Sequence, residues 1–198
     1  MFDKIQHIGY LVRDLDAAVA WYAQDFGGEN AGGSTLPAGG IIPSGGRNAF
    51  VHFGKVEVEL IEPQDKTGLP ADTLVMHHVG YAVSDIAASI VSLKARGFKF
   101  FSDTPNTNVL GQQVLYFDPA STNGVLMHLT QLPSQPNTTG LDAGVKIDHI
   151  VHAGYLVNNL DDAIAWYGDK LGGTHLGGGP SRRGGRNAFV NFGQVQVE

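Results

Sequence analysis

The stretch His7-Ile-Gly-Tyr-Leu-Val12 returns as His78-Val-Gly-Tyr-Ala-Val83 and again as His152-Ala-Gly-Tyr-Leu-Val157, so the chain writes His-x-Gly-Tyr-x-Val three times. In a β-strand successive side chains alternate faces, which puts the histidine and the glycine on one side and the tyrosine and valine on the other. The pattern directs a histidine into a space that its own glycine keeps open. A single such histidine reads as a core residue held by a hydrogen bond. Three copies read differently, because core positions are usually filled by Val, Ile or Leu. The repeated imidazoles are therefore expected to be metal ligands.

Each copy opens a unit of the same plan. After the first, Asp14 stands as a helix N-cap, and Leu15, Ala18, Val19, Tyr22 and Phe26 recur at helical spacing up to Gly27-Gly28. Residues 29–46, rich in Gly, Ser and Pro, read as a loop with a short strand near Gly40-Ile-Ile42. They do not join a strand to a helix, which excludes a phosphate-binding glycine loop. Asn48–Phe53 and Lys55–Ile61 read as an antiparallel pair broken at Gly54. In the latter Val56, Val58 and Leu60 share a core face, while Glu57, Glu59 and Ile61 share the face left for chemistry. Glu57 reads as a solvated edge-strand carboxylate.

The second unit follows a polar linker. Its opening strand is succeeded by the cap Ser84-Asp85, a helix carrying Ile86, Ile90 and Leu93, and strands at Phe98–Phe101, Gln113–Phe117 and Gly124–Thr130. Residues 134–145 are polar and rich in Pro, Ser, Thr and Gly, as a domain linker is. Beyond them unit one returns almost verbatim. His7 matches His152 and Trp21 matches Trp166 at an offset of 145 residues, and Gly46–Val51 matches Gly185–Val190 at an offset of 139. On that register Glu59 corresponds to Glu198.

Composition narrows the chemistry. The chain has 198 residues, 42% of them hydrophobic, and no cysteine, so it can bury a core without disulfides and any metal must take nitrogen and oxygen ligands. A formal charge of −6 with 13 Lys+Arg and no basic run argues against nucleic-acid or anionic-membrane partners. Met1-Phe-Asp-Lys-Ile lacks the regions of a signal peptide, and no apolar stretch is long enough to span a bilayer, so a cytoplasmic location is expected.

The three openings, together with Val-Glu-Leu-Ile-Glu-Pro closing unit one and Gly124-Val-Leu-Met-His-Leu closing unit two, resemble the vicinal oxygen chelate superfamily in its glyoxalase and methylmalonyl-CoA epimerase branch. The resemblance implies an α+β fold in which paired βαβββ modules form a cupped, eight-stranded mixed sheet. It places a complete domain at residues 1–133, with modules at 1–63 and 73–133, a linker at 134–145, and a third module at 146–198 truncated in its last strand. It also implies a divalent ion held by the first and last strands of each module, which here are His7 and Glu59, then His78 and His128. Three imidazoles and a carboxylate suit Zn, Ni, Co or Fe better than Mg or Ca.

The implied activity is that of an isomerase or lyase acting on a small-molecule substrate, with Glu59 as base and His128 as the alternative proton carrier. His128 stands where these families place a glutamate, and Ile42-Pro-Ser-Gly-Gly46 supplies no second carboxylate, so one base fits better than two. Arg47 and Asn48 are candidates for substrate binding, although an Arg at such a place is more often a solvated hairpin residue. An Fe(II) extradiol-type dioxygenase and a metal-free, antibiotic-sequestering protein are the alternative readings of the same cup. For the third module two solutions stand open. The natural chain continues into a fourth module, or the third pairs in a homodimer, where His152 and Glu198 of both copies build a second metal site.

Overall fold

The computed structural model describes residues 2–71, 74–181 and 184–198. The module boundary expected at residue 73 lies outside them. Unit one is β1 (Lys4–Leu11), α1 (Leu15–Phe26), β2 (Glu29–Leu36), β3 (Gly46–Phe53) and β4 (Val56–Pro63); unit two is β5 (Val75–Ala82), α2 (Ile86–Ala95), β6 (Asn106–Thr107), β7 (Gln113–Tyr116) and β8 (Met127–Gln131). The helices start where the sequence puts their caps. The side chains of Asp14 and Asp85 accept the amides of Ala17 and Ala88, satisfying donors that the first helical turn leaves free.

The two units share one eight-stranded sheet in the order β2-β3-β4-β1-β5-β8-β7-β6. Strand β1 runs parallel to β4 and antiparallel to β5, and β5 runs parallel to β8, so β1 and β5 flank a pseudo-twofold axis. The register across it is reciprocal, with His7 opposite Gly80 and Gly9 opposite His78. One face of the sheet is the concave side. On the other, Val56, Val58 and Leu60 pack with Val51, Leu15 and Tyr22 against α1, as the alternation of β4 requires.

Two local expectations are corrected. Residues 29–36 form an edge strand rather than a loop, because their main chain pairs with β3 from Glu29↔His52 to Leu36↔Gly46 and that ladder overrides a glycine-rich composition. Conversely, 98–101 is not a strand. Phe98 and Phe100 are anchored by their rings, 5.5 and 4.6 Å from that of Phe117, and the segment makes one bridge, Phe100↔Phe117, while Asn106–Thr107 takes the place in the sheet.

The third unit is β9 (His152–Ala153), α3 (Leu160–Leu171), β10 (Thr174–Pro180), β11 (Arg186–Phe192) and β12 (Val195–Val197), a separate four-stranded sheet in the order β10-β11-β12-β9. Its apolar side, with Val190, Phe192, Val195 and Val197, joins Val79, Tyr81, Leu115 and Leu129 of unit two in one core. Phe192 sits at the junction, its ring 5.4 Å from Phe2, 5.7 Å from Tyr81 and 5.3 Å from Tyr167. The intervening segment has no regular structure but is pinned to unit one, with the amide of Gly54 donating to Ala143 O and that of Lys55 to Ile147 O. Among the described residues no helix is long and apolar enough to cross a membrane. Phe192→Ala is expected to cost about 3–5 kcal/mol in urea unfolding, the range for emptying an aromatic site in a packed core.

Candidate metal centre

The structure brings His7, His78 and His128 together at the floor of the cup, all three buried. Each arrives on a strand whose neighbouring residues turn to the core on the opposite face: His7 beside Ile8 on β1, His78 beside Val79 on β5, and His128 between Met127 and Leu129 on β8. The Nε2 atoms of His78 and His128 lie 3.1 and 3.2 Å from Nε2 of His7. Glu59 reaches the same point from β4, its Oε2 3.2 Å from His78 Nε2 and 3.5 Å from His7 Nε2.

The glycines of the repeated strand explain how the rings fit, in a way that differs from the expectation. A Cβ built on Gly9 would lie 2.1 Å from Cε1 of His78, and one on Gly80 would lie 2.6 Å from Cε1 of His128 and 3.1 Å from Cε1 of His7. Gly9 therefore makes room for His78 of the facing module, and Gly80 for His128 of its own module's last strand and His7 of the facing module; neither serves the histidine of its own strand.

Outward partners orient the rings. Nδ1 of His7 lies 2.9 Å from Glu57 Oε1, so its N–H donates to that carboxylate. Nδ1 of His78 lies 3.0 Å from Nδ1 of His77, and Nδ1 of His128 lies 3.2 Å from the carbonyl of Leu129. His77 is held neutral, since burial and the neighbouring His78 lower it to about 4, and it serves as acceptor. With each Nδ1 proton committed outward, three Nε2 lone pairs and a carboxylate oxygen face one point. A divalent cation satisfies such a donor set, and in its absence a proton must do so. The residues present thus fit a divalent ion with nitrogen and oxygen ligands.

Without an ion the cluster holds a proton. Burial opposes charge on His7, but its hydrogen bonds to Glu57 and Glu59 and their negative charges prevail, raising it to about 9. Burial, reinforced by that charge, lowers His78 and takes His128 well below its ordinary value. Burial would raise Glu59, yet its contacts with His7 and His78 outweigh that and hold it well below the carboxylate range.

Glu57 is not solvated as expected; it is 3% exposed and lies beneath the site. Its Oε2 is 2.9 Å from His52 Nε2, Gln112 Nε2 donates to both of its oxygens, and Nδ1 of His52 lies 2.6 Å from the carbonyl of Thr139. Burial again works against charge, but His52 and His7 bring Glu57 down to about 2. Sequence reasoning missed this support, although His52, Glu57 and His7 occupy the same face by simple alternation. It also missed Tyr116, which stands opposite His128 in the β7–β8 ladder with its hydroxyl 3.3 Å from His78 Nε2.

Other candidates fall elsewhere. Asn48 points into the cup and donates from Nδ2 to Glu59 Oε1 at 2.6 Å, its own Oδ1 accepting from Ser34. Arg47 lies on the opposite face, outside the cup, with Nε 2.6 Å from Glu62 and a two-pronged contact to Asp16 of α1. His152 and Glu198 lie together in the third module, 3.3 Å apart and away from the first cluster. Above the cluster opens a cavity of about 790 Å³, walled by Phe50, Tyr116, the Leu36–Ile41 loop and residues 106–109.

Two outcomes follow for the metal. Glu57→Gln, which keeps the shape but removes the charge behind His7, should lower ion affinity about 10–100-fold in a competitive chelator titration. Because His7 carries a proton below about 9 in the ion-free site, ion uptake near neutral pH should release about one proton, so affinity rises with pH and levels off above that value. Calorimetry in buffers of different ionisation enthalpy reads that number directly.

Comparisons with known proteins cover about two thirds of the chain. The chain is 27% identical over 134 residues to human mitochondrial methylmalonyl-CoA epimerase, covering 65% of this chain and 73% of that protein. It is 29% identical over 139 residues to the ethylmalonyl-CoA/methylmalonyl-CoA epimerase of Cereibacter sphaeroides, covering 67% of this chain and all of that one. A crystal structure of a methylmalonyl-CoA epimerase superimposes with a TM-score of 0.54 at 25% identity, over 68% of this chain and 98% of that one. Residues 6–116, more than half of the chain, match the model of the Glyoxalase/Bleomycin resistance protein/Dioxygenase superfamily, and the chain belongs to that superfamily.

Proposed function

We propose that residues 1–133 form a metal-assisted isomerase of the epimerase type, which removes a proton from the carbon next to a carbonyl of a small oxygenated or acyl-thioester substrate. The observation that carries this reading is the pairing of a cation-demanding donor set with a single carboxylate. Among the described residues Glu59 is the only acidic side chain lining the cavity. A bound divalent ion would polarise the substrate carbonyl and so acidify the neighbouring C–H.

The chain's own residues supply the rest. Glu59 is ionised at neutral pH and can accept a proton, and Asn48 holds its Oε1 so that Oε2 faces the cluster and the cavity. The Tyr116 hydroxyl, with its pKa raised well above the ordinary value chiefly by desolvation, stays protonated and offers a hydrogen-bond donor at the cavity wall. Phe50 and the Leu36–Ile41 loop limit access of water. No Lys or Arg among the described residues lines the cavity, so a carbonyl-bearing acyl group suits it better than a phosphate. His128 is the second possible carrier of the proton, and a lyase outcome uses the same first step. With Glu59 as the one base, inversion at that carbon requires the deprotonated substrate to turn over before it takes the proton back, or His128 to deliver a proton from the other side.

The test is α-proton exchange of methylmalonyl-CoA in deuterated water. Glu59→Gln is expected to slow exchange about 100-fold or more, a loss of the scale seen when a positioned base is removed, while substrate affinity changes little. Exchange within a few-fold of the parent rate would remove Glu59 from the role of base.

A further inference from the structure

The segment between the second and third modules has the composition of a linker, yet it is fastened to the first module along its length. Asn137 Nδ2 donates to Ala31 O of β2 at 2.9 Å, and Asn137 Oδ1 accepts the amide of Thr139 at 2.9 Å. The amide of Asp142 donates to Gly54 O, and the Gly54 amide returns a bond to Ala143 O at 2.8 Å. Val145 donates to Phe26 O at the end of α1, and Lys55 donates to Ile147 O. Gly144, at φ 62°, permits this approach, because a Cβ there would lie 1.8 Å from Phe26 O. Ile147 and Ile150 then pack against the core beside α1. Residues 137–147 are thus a strap rather than a linker.

One carbonyl of the strap reaches beneath the first centre. Thr139 O lies 2.6 Å from His52 Nδ1, while His52 Nε2 lies 2.9 Å from Glu57 Oε2, and the other oxygen of Glu57 accepts from His7. A carbonyl and a carboxylate only accept, so both ring nitrogens of His52 donate. His52 is 2% exposed, so solvent cannot replace Thr139, and losing that acceptor would leave a buried N–H unpaired unless the ring turned and gave up its hold on Glu57. Gln112, whose Oε1 accepts from Asn108 Nδ2, turns its amide nitrogen to Glu57 from the second module. The third module is built differently at this place. It repeats the Asn48–Glu59 contact as Asn187–Glu198 at 2.8 Å, but carries Asn191 and Gln196 at the positions of His52 and Glu57. Those two amides bond to each other at 3.0 Å, a neutral pair with no charge to hold in place.

We propose that His52 is a positioning residue for the first centre and that the strap sets it: Thr139 O orients His52, His52 fixes Glu57, and Glu57 directs Nε2 of His7 toward the ion. The inference rests on the divalent-ion reading of the cluster and not on the reaction assigned to it. A coupling of this kind works in both directions. An ion that draws His7 into place tightens the contacts that run back to Thr139, and a seated strap strengthens binding of the ion. The third module is attached through this strap, so its connection to the second module becomes part of the support of a site in the first.

The test uses zinc as the probe on the full chain. In a competitive chelator titration Asn137→Ala, which removes both side-chain bonds that anchor the strap, should weaken zinc binding about 10-fold, the lower end of the range for losing a group that orients a ligand. His52→Asn, which brings in the residue type that the third module has in Asn191, should weaken it at least as much. Both changes act through one contact, so the double variant should bind no more weakly than His52→Asn alone, where independent effects would multiply. In hydrogen exchange zinc should slow the amides of Gly54, Asp142 and Val145 about 10-fold relative to those of α2, and this protection should vanish in His52→Asn. Unchanged affinity in Asn137→Ala, strap amides indifferent to zinc, or losses that multiply in the double variant would overturn the role of the strap and leave the metal centre standing. A chain that binds no zinc would overturn both.

Discussion

The reciprocal seating of imidazoles over glycines across the β1–β5 ladder is the constraint on which the centre depends. A histidine ring fits above the facing strand only where that strand has no side chain, and the His-x-Gly spacing delivers ring and gap to alternate positions of the same face. Each module thereby makes the other's ligand position possible. The convergence of the Nε2 atoms depends on keeping that register, because a slip of one residue would send the histidine of the shifted strand to the core face.

The electrostatics beneath the site show how much effort goes into one ligand. Burying several carboxylates and imidazoles is costly unless their hydrogen bonds and charges are matched. In the first module the matching runs from Thr139 through His52 and Glu57 to His7, with Gln112 of the second module closing the remaining side of Glu57. The segment joining the second and third modules therefore has a part in the first centre. The third module keeps the clamp on the carboxylate but replaces the charged support by a neutral amide pair, which is tolerable where His152 remains partly in solvent.

Much of this was legible in the order of residues. Periodicity of two placed His7, Glu59, His78 and His128 on one face of their strands, aspartate caps marked the helix starts, and the threefold repeat marked the modules. What failed, failed for identifiable reasons. The strand at 29–36 is made by main-chain pairing to β3, which composition does not report. Glu57 looked solvated because β4 seemed an edge, whereas β1 and β3 flank it on both sides. Arg47 alternates to the helix side, and its partners Asp16 and Glu62 lie on other elements.

By itself the sequence determined the local units, the facing of each strand and the residue types able to hold an ion, because these depend on spacing along the chain. Only the tertiary structure decided which modules share a sheet and whose ring occupies whose glycine gap. It alone decided that Glu57 lies under His7. Those are relations between positions far apart in the chain, and they are set by strand register and packing rather than by any local pattern.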